Sequence, residues 1–195
     1  MPQRQPVYTA KMVADVDYLS GGRVDFGVGI GWLKEEFENL GMDFATRAAR
    51  TEEYILAMRA LWSEGISEFS GQTVSLQPCH FNPKPVQKPY PPIYFGGESD
   101  PALRRVARLG DGWYGFDLDP EQLQEKLVSL DAALAATGRS RQDIDLIIGP
   151  NRHPVNADTV AAYAAAGVDQ LVVPVFASNL DKLAARLDAL MALNA

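Results

Sequence analysis

An alternation of glycines in the segment 24–32 constrains the fold of this 195-residue chain more than any other feature. Successive side chains of a strand point to opposite faces. One face of this segment carries apolar side chains, from Val24, Phe26, Val28 and Ile30. The other is nearly bare backbone, from Asp25, Gly27, Gly29 and Gly31. Because interior glycines weaken a strand, they indicate that something approaches this face closely. A flat or phosphorylated ligand and tight packing against another element are both open interpretations.

Composition argues against several function classes. The formal net charge is -7 and the basic residues are scattered, so we expect no nucleic-acid partner. The single cysteine, Cys79, excludes an internal disulfide framework and a cysteine-based zinc site, and two histidines are too few for a histidine-rich metal centre. No apolar run reaches the length of a membrane span, and the first residues lack the apolar core of a signal peptide. These features predict a soluble cytoplasmic protein without a metal.

The order of elements predicts an α/β fold. A helix over about 6–19 precedes five strand–helix repeats, whose strands we predict at 24–30, 93–95, 113–116, 144–148 and 170–175. A hairpin turn at 69–74 and a run of prolines up to Pro92 form an insertion at about 67–92. Such an insertion lies near a binding site or is mere decoration.

Sustained alternation predicts a parallel sheet, in which ligands bind at the carboxyl ends of the strands. The segments that follow the strands are 31–32, 97–99, 117–118, 150–153 and 176–178. Trp32 and His153 are therefore candidates for a substrate pocket, although a loop histidine is also commonly a bystander. No side chain can be assigned as the catalytic acid or base.

The segment from Gly96 to Pro101 joins a strand end to a helix start. Free N–H groups, the helix dipole and the Ser99 hydroxyl make a plausible phosphate cradle, and a plain capped helix is the alternative. Two carboxylates, Glu98 and Asp100, suit an anion only if Asp100 serves the cap and Glu98 binds backbone or turns away. The glycine pattern at 27–32 is neither a Rossmann fingerprint nor a P-loop.

Four segments together resemble the luciferase-like monooxygenase family, and within it the branch of oxidoreductases that use the deazaflavin coenzyme F-420. These segments are 2–7, 19–32 with Glu35-Glu36-Phe37, 83–87, and 91–113. The resemblance covers about residues 2–116. The remaining residues share only the strand–helix alternation.

The resemblance implies a (β/α)8 barrel of the TIM type, here truncated to about five strand–helix units that correspond to barrel strands four to eight and follow one helix. Residues 1–195 then form a single incomplete domain. It also implies that the cofactor, F-420 or alternatively FMN, binds at the carboxyl ends of the strands. Residues that contact its phosphate are, by resemblance, Gly29, Ile30, Gly31, Gly96, Gly97, Glu98 and Ser99.

The implied function is hydride transfer between a reduced deazaflavin or flavin and a small organic substrate. A non-catalytic truncated fragment, or a module that binds flavin phosphate or another protein, is the alternative. Five parallel strands cannot close such a barrel and leave two sheet edges unpaired. We therefore expect that the chain is either poorly stable alone or completed by another copy, as a homo-oligomer, or by a second chain.

Overall fold

The computed structural model describes residues 1–194, and the chain divides into two compact units, residues 1–94 and 95–195. The first unit holds α1 (Pro6–Ser20), β1 (Phe26–Val28), α2 (Lys34–Asn39), α3 (Arg47–Trp62), β2 (Ser67–Ser70) and β3 (Ser75–Cys79). Strand β4 (Ile93–Gly96) spans the boundary. The second unit holds α4 (Asp100–Leu109), β5 (Gly112–Phe116), α5 (Pro120–Ala135), β6 (Asp145–Gly149), α6 (Ala157–Ala165), β7 (Gln170–Leu171) and α7 (Leu180–Met191).

Five strands form one sheet in the order β1-β4-β5-β6-β7. The pairs β5–β6 and β6–β7 are parallel, with Trp113 opposite Leu146 and Ile148 opposite Leu171. Each strand of this sheet is followed by a helix, as a connection between parallel strands requires. This architecture confirms the predicted α/β class and the five strand–helix units. The prediction of a single domain stays a prediction.

The two edge strands are shorter than predicted. The first covers Phe26–Val28 rather than 24–30, and the last covers Gln170–Leu171 rather than 170–175. An edge strand has a neighbour on one side only, so ladder pairing ends early there. Pro174, which lies beyond the end of β7 but within the predicted strand, has no N–H to donate to a neighbouring strand.

Helices α1 and α3 make the core of the first unit. The Trp62 indole is 1% exposed and its Nε1 donates to the Ala10 carbonyl at 3.1 Å. The buried Asp17 carboxylate accepts hydrogen bonds from the backbone N–H of Gln87 at 3.0 Å and from its side-chain Nε2 at 2.8 Å. That same Nε2 also donates to the Val24 carbonyl. Gln87 thus joins the end of α1 to the approach to β1.

The predicted hairpin is present, with β2 and β3 antiparallel. Its turn is fixed from α3, because the Glu53 carboxylate accepts hydrogen bonds from the Thr73 N–H and hydroxyl. A Cβ on Gly71 would lie 1.6 Å from a Glu53 oxygen. The Glu53 carboxylate therefore anchors the hairpin, and any side chain at position 71 would displace that carboxylate.

In the second unit the helices cover the sheet with leucines. The capping box of α5, with Asp119 as N-cap, sets the start of that helix, and it buries four leucines: Leu123, Leu127, Leu130 and Leu134. The buried Tyr163 hydroxyl donates to the Leu118 carbonyl at 2.7 Å. This bond ties α6 to the segment that follows β5.

Candidate functional site

The turn between β4 and α4 carries four of the predicted site residues. Gly97 has φ +107°, and a Cβ there would lie 3.0 Å from the Ala102 Cβ. Its carbonyl accepts a hydrogen bond from the Trp113 indole at 3.0 Å. Backbone strain and the close approach of α4 both require glycine at this position.

Ser99 is the N-cap of α4 in an extended conformation, and its side chain makes no capping hydrogen bond. The exposed hydroxyl is therefore not used by the helix. Asp100 occupies the first helical position and does not cap, so the condition that Asp100 serves the cap is not met. Pro101 has no N–H, and the Ala102 N–H donates to the Ser99 carbonyl at 2.8 Å. Fewer free N–H groups remain here than at most helix starts.

Glu98 is turned away from the helix start. One of its carboxylate oxygens accepts a hydrogen bond from the backbone N–H of Phe116 at 2.8 Å. This contact fulfils one of the two conditions that the phosphate interpretation set for the nearby carboxylates. The charge of Glu98 is therefore directed to the end of β5, whereas the exposed Asp100 carboxylate remains next to Ser99 at the start of α4.

A second polar cluster lies where β5 and β6 end. Asp117 and Asn151 have φ of 58° and 47°, a backbone region that residues other than glycine seldom adopt. The Asp117 carboxylate is 9% exposed and accepts hydrogen bonds from the Arg152 backbone N–H and guanidinium. These bonds lower the pKa of the Asp117 carboxyl below its ordinary value. These hydrogen bonds join the segments that follow the two strands.

His153 belongs to this cluster. Its Nε2 lies 3.1 Å from the Asp117 carbonyl oxygen, and its Nδ1 lies 3.9 Å from an Asp119 carboxylate oxygen. The ring is half-buried, and its Nε2 faces the backbone carbonyl of Asp117. These contacts favour a positioning role within the loop over proton exchange with a substrate.

In the first unit, the face of β1 that carries glycines has open space beside Gly27 and Gly29 but is in close contact with another side chain at Gly31. A Cβ on Gly27 or Gly29 would meet no atom within 4 Å, and Gly29 is exposed. Gly31 differs, since it has φ +80° and a Cβ there would lie 2.8 Å from the Phe37 ring. Gly31 is required by packing against Phe37, whereas Gly29 leaves space, and a ligand contact in that space stays a prediction.

The neighbours of these glycines are also defined. Ile30 is half-buried, in keeping with the apolar face, and the Gly29 carbonyl accepts a hydrogen bond from the amino group of Met1 at 2.7 Å. Trp32 is 82% exposed. An indole with that exposure packs little against its own unit, which leaves its predicted role in a substrate pocket open.

Two important residues were missed at the sequence level. Asp17 was assigned no role, although it is fully buried and bonded to Gln87. Asp117 was named only as a strand-end residue, without the Arg152 contact. The signal for Asp17 was available, because a carboxylate on the buried side of a helix needs a partner. Nothing in the sequence indicated the positive φ of Asp117.

The described part of the chain offers little for metal or acid–base chemistry. Among residues 1–194 no group of three or more histidine, cysteine or acidic side chains could hold a metal ion. Within the same residues, no helix combines the length and apolarity needed to cross a bilayer. What the site offers is hydrogen-bond donors, glycine backbone and exposed aromatic surface. This set suits binding and orientation of a ligand.

Comparisons with known proteins agree with this architecture. The model of the family described as luciferase-like monooxygenase matches residues 1–190. The chain is 32% identical over 190 residues to the uncharacterized protein Rv0953c of Mycobacterium tuberculosis. This alignment covers 97% of the present chain and 66% of the relative. It is 30% identical over 157 residues to an FMNH(2)-dependent dimethylsulfone monooxygenase of Pseudomonas putida, covering 79% of this chain and 42% of the relative.

A solved F420-dependent secondary alcohol dehydrogenase, in complex with an F420-acetone adduct, superposes with a TM-score of 0.67 and 16% identity. That match covers 97% of this chain and 67% of the dehydrogenase. The chain thus spans about two thirds or less of the curated relatives named here. The match over residues 1–190 establishes that the chain belongs to the luciferase-like monooxygenase family.

Proposed function

We propose that this protein is an oxidoreductase of the luciferase-like class that transfers a hydride between a reduced deazaflavin or flavin and a small organic substrate. In this proposal the turn from Gly96 to Ser99 binds the phosphate of the cofactor. The single observation that carries the proposal is the hydrogen bond from the Phe116 N–H to Glu98, because it directs one of the two nearby carboxylates away from a phosphate at that turn.

The residues of the turn fit a phosphorylated ligand. Ser99 keeps its hydroxyl free of the helix, so it can donate to a phosphate oxygen. Gly97 brings backbone close to the helix start without a side chain in the way. The positive end of the α4 dipole adds attraction for an anion, typically within the first turn.

The cofactor, when bound, supplies the hydride chemistry. The chain itself supplies binding and orientation. Ser99 and the Gly97 backbone hold the phosphate end, Glu98 keeps β5 in register with the turn, and the Asp117–Arg152 cluster keeps the neighbouring loop in one conformation. No side chain of this chain is assigned to proton transfer.

Gly29, Ile30 and Gly31 enter the proposal by resemblance to the family. The open space beside Gly29 supports a ligand contact there. Gly31 contributes indirectly, because its fit against Phe37 sets the path of the chain after β1. Trp32, with its exposed indole, is proposed as a contact for the apolar part of the substrate.

The choice of cofactor is also part of the proposal. F-420 is favoured by the motifs that resemble the deazaflavin branch, and the F420-dependent dehydrogenase has the same fold. FMN is the alternative, supported by the FMNH(2)-dependent monooxygenase at 30% identity. The second candidate function is a binding module without turnover.

A titration separates these functions. F-420 and FMN are each added to the 195-residue chain, binding is followed by visible absorbance, and turnover is then measured with a panel of small alcohols, aldehydes and sulfones. Micromolar binding with turnover supports the oxidoreductase. Binding without turnover supports the module. Failure of both cofactors to bind at micromolar concentration contradicts both functions.

A further inference from the structure

A tyrosine hydroxyl lies against the backbone of Gly149 at the carboxyl edge of the sheet in the second unit. Tyr114 is opposite Ile147 in the register of β5 and β6, whereas its hydroxyl lies where a Cβ on Gly149 would be. The ring therefore extends along the sheet toward the strand ends, and only a glycine at position 149 leaves room for it. In the part of the chain that the structure describes, this hydroxyl has no hydrogen-bond partner.

Tyr114 shares its face of β5 with Phe116, because side chains two positions apart in a strand point the same way. Trp113 and Gly115 point to the opposite face, and both are buried. The Tyr114 face is open at the carboxyl edge, since the Phe116 ring is 57% exposed and Tyr114 is only half-buried. An exposed apolar ring thus lies next to a polar group without a partner.

The Asn151 side chain borders the same space. A Cβ on Gly149 would also lie 3.2 Å from Asn151 Nδ2, and this nitrogen donates a hydrogen bond to the Gly149 carbonyl at 2.8 Å. Because a carbonyl can only accept, this bond fixes the orientation of the amide and turns Oδ1 away from the carbonyl. Among residues 1–194, Oδ1 has no hydrogen-bond partner. The two side chains together offer a donor from Tyr114 and an acceptor from Asn151.

The charged groups beside this space compensate one another. The Asp117 carboxylate is paired with the Arg152 guanidinium, and the Asp117 N–H donates to the Gly149 carbonyl at 2.7 Å. The Glu98 carboxylate accepts the N–H of Phe116. Removing an ionised ligand from water without an opposite charge costs far more than removing a neutral polar group that is hydrogen-bonded. The space therefore suits an uncharged group that both accepts and donates a hydrogen bond.

We propose that Tyr114 and Asn151 form a subsite that binds the hydroxyl group of an uncharged alcohol, whose apolar part contacts the exposed ring of Phe116. The Tyr114 O–H donates to the alcohol oxygen, and the alcohol O–H donates to Asn151 Oδ1. A ketone of the same shape only accepts, so it makes one of these two hydrogen bonds and binds less tightly. The identification of this alcohol as a substrate rests on the proposed function, and the subsite limits that substrate to neutral molecules.

A titration of the 195-residue chain with cyclohexanol tests the subsite, with the NMR signal of the Gly149 amide as the reporter, both without cofactor and with about 1 mM FMN. We expect millimolar binding. Tyr114→Phe should raise the dissociation constant about fivefold, the equivalent of one lost hydrogen bond, and should keep the urea midpoint of the parent chain because the hydroxyl has no partner within the described residues. Tyr8→Phe is the matched control, since Tyr8 is a 76% exposed tyrosine of α1.

Asn151→Gly tests the acceptor, because glycine suits the φ of 47° at this position. It should weaken cyclohexanol binding a few-fold and leave cyclohexanone binding unchanged, and cyclohexanecarboxylate should bind the parent chain at least tenfold more weakly than cyclohexanol. The subsite is overturned if cyclohexanol shifts the Gly149 signal in neither condition, if Tyr114→Phe binds it like the parent chain, or if the carboxylate binds equally well. FMN affinity, measured on the same samples, tests the proposed function separately, because cyclohexanol binding without FMN binding would support the subsite and contradict the cofactor site.

Discussion

The Glu98 carboxylate accepts the backbone N–H of Phe116 at 2.8 Å, so the acidic side chain of the β4–α4 turn serves the end of β5. Glu98→Ala leaves that N–H without its charged acceptor. Because a hydrogen bond to a charged group contributes about 1.5 kcal/mol or more, we expect the free energy of unfolding to fall by about that amount. Urea denaturation measures the change.

Glu98→Gln keeps an acceptor oxygen without the charge, and it is expected to lose less stability than Glu98→Ala. Glu125→Ala, an exposed glutamate of α5, is the control and should stay within about 0.5 kcal/mol of the parent. Equal stability of Glu98→Ala and Glu125→Ala would show that the contact contributes nothing.

Gln87 carries a prediction about the proline-rich motif through which the chain resembles its family. Gln87→Ala removes the Nε2 bonds to the buried Asp17 carboxylate and to the Val24 carbonyl. A buried acceptor left unpaired costs roughly 1–3 kcal/mol, so thermal and urea unfolding should both show a loss in that range. Gln124→Ala on the exposed side of α5 is the control. If Gln87→Ala loses no more stability than Gln124→Ala, the Gln87 hydrogen bonds do not stabilise the fold.

Gly29 and Gly31 differ in what a methyl group would do. Gly31→Ala places a Cβ 2.8 Å from the Phe37 ring at φ +80°, so we expect it to destabilise the protein by about 2 kcal/mol or more. Gly29→Ala meets no atom within 4 Å and should leave the unfolding free energy unchanged or slightly higher.

Cofactor affinity separates the two glycines further. Gly29→Ala is expected to weaken binding of F-420 or FMN roughly tenfold, because the methyl group fills space that the ligand uses. Gly27→Ala, on the same open face, is the comparison. If Gly29→Ala binds both cofactors like the parent chain, Gly29 is not part of the cofactor site.

The Asp117–Arg152 contact gives a prediction about pH. The pKa of Asp117 is lowered in the folded chain, so its carboxylate stabilises the fold above the ordinary pKa of about 3.8, and this contribution is lost as pH falls through the lowered value. Arg152→Gln removes the cause of the shift. The difference in unfolding free energy between parent and variant should therefore be full at about pH 6 and shrink below about pH 3.5. A difference that stays constant down to pH 2.5 would contradict this account.

The fold was largely predictable because its signals are local. The N-caps Asp119, Asn156 and Asn179 each hold their helix start by a side-chain bond, which is typical of aspartate and asparagine at this position. The ends of β1 and β7 were not predictable, because they depend on pairing partners distant in sequence. The position of Ser99 at a helix start was also predictable. Only the structure shows that its hydroxyl makes no capping hydrogen bond.

For the site, the residue types were predictable and their contacts were not. The turn at Gly96–Ser99 was predictable from two glycines that lie between a strand end and a helix start. The partner of Glu98 depends on the register of β5, and the role of His153 depends on the positive φ of Asp117. Neither long-range register nor an unusual backbone conformation at an aspartate leaves a clear mark on a single sequence.

The most direct test of the central claim compares FMN with riboflavin, which lacks the phosphate, on the parent chain and on Ser99→Ala. Fluorescence titration gives the four dissociation constants. If Ser99 donates to the phosphate, Ser99→Ala weakens FMN binding about fivefold, the equivalent of roughly 1 kcal/mol for one hydrogen bond, and leaves riboflavin binding unchanged. Equal affinity of the parent chain for FMN and riboflavin, or an unchanged FMN affinity in Ser99→Ala, would contradict a phosphate site at this turn.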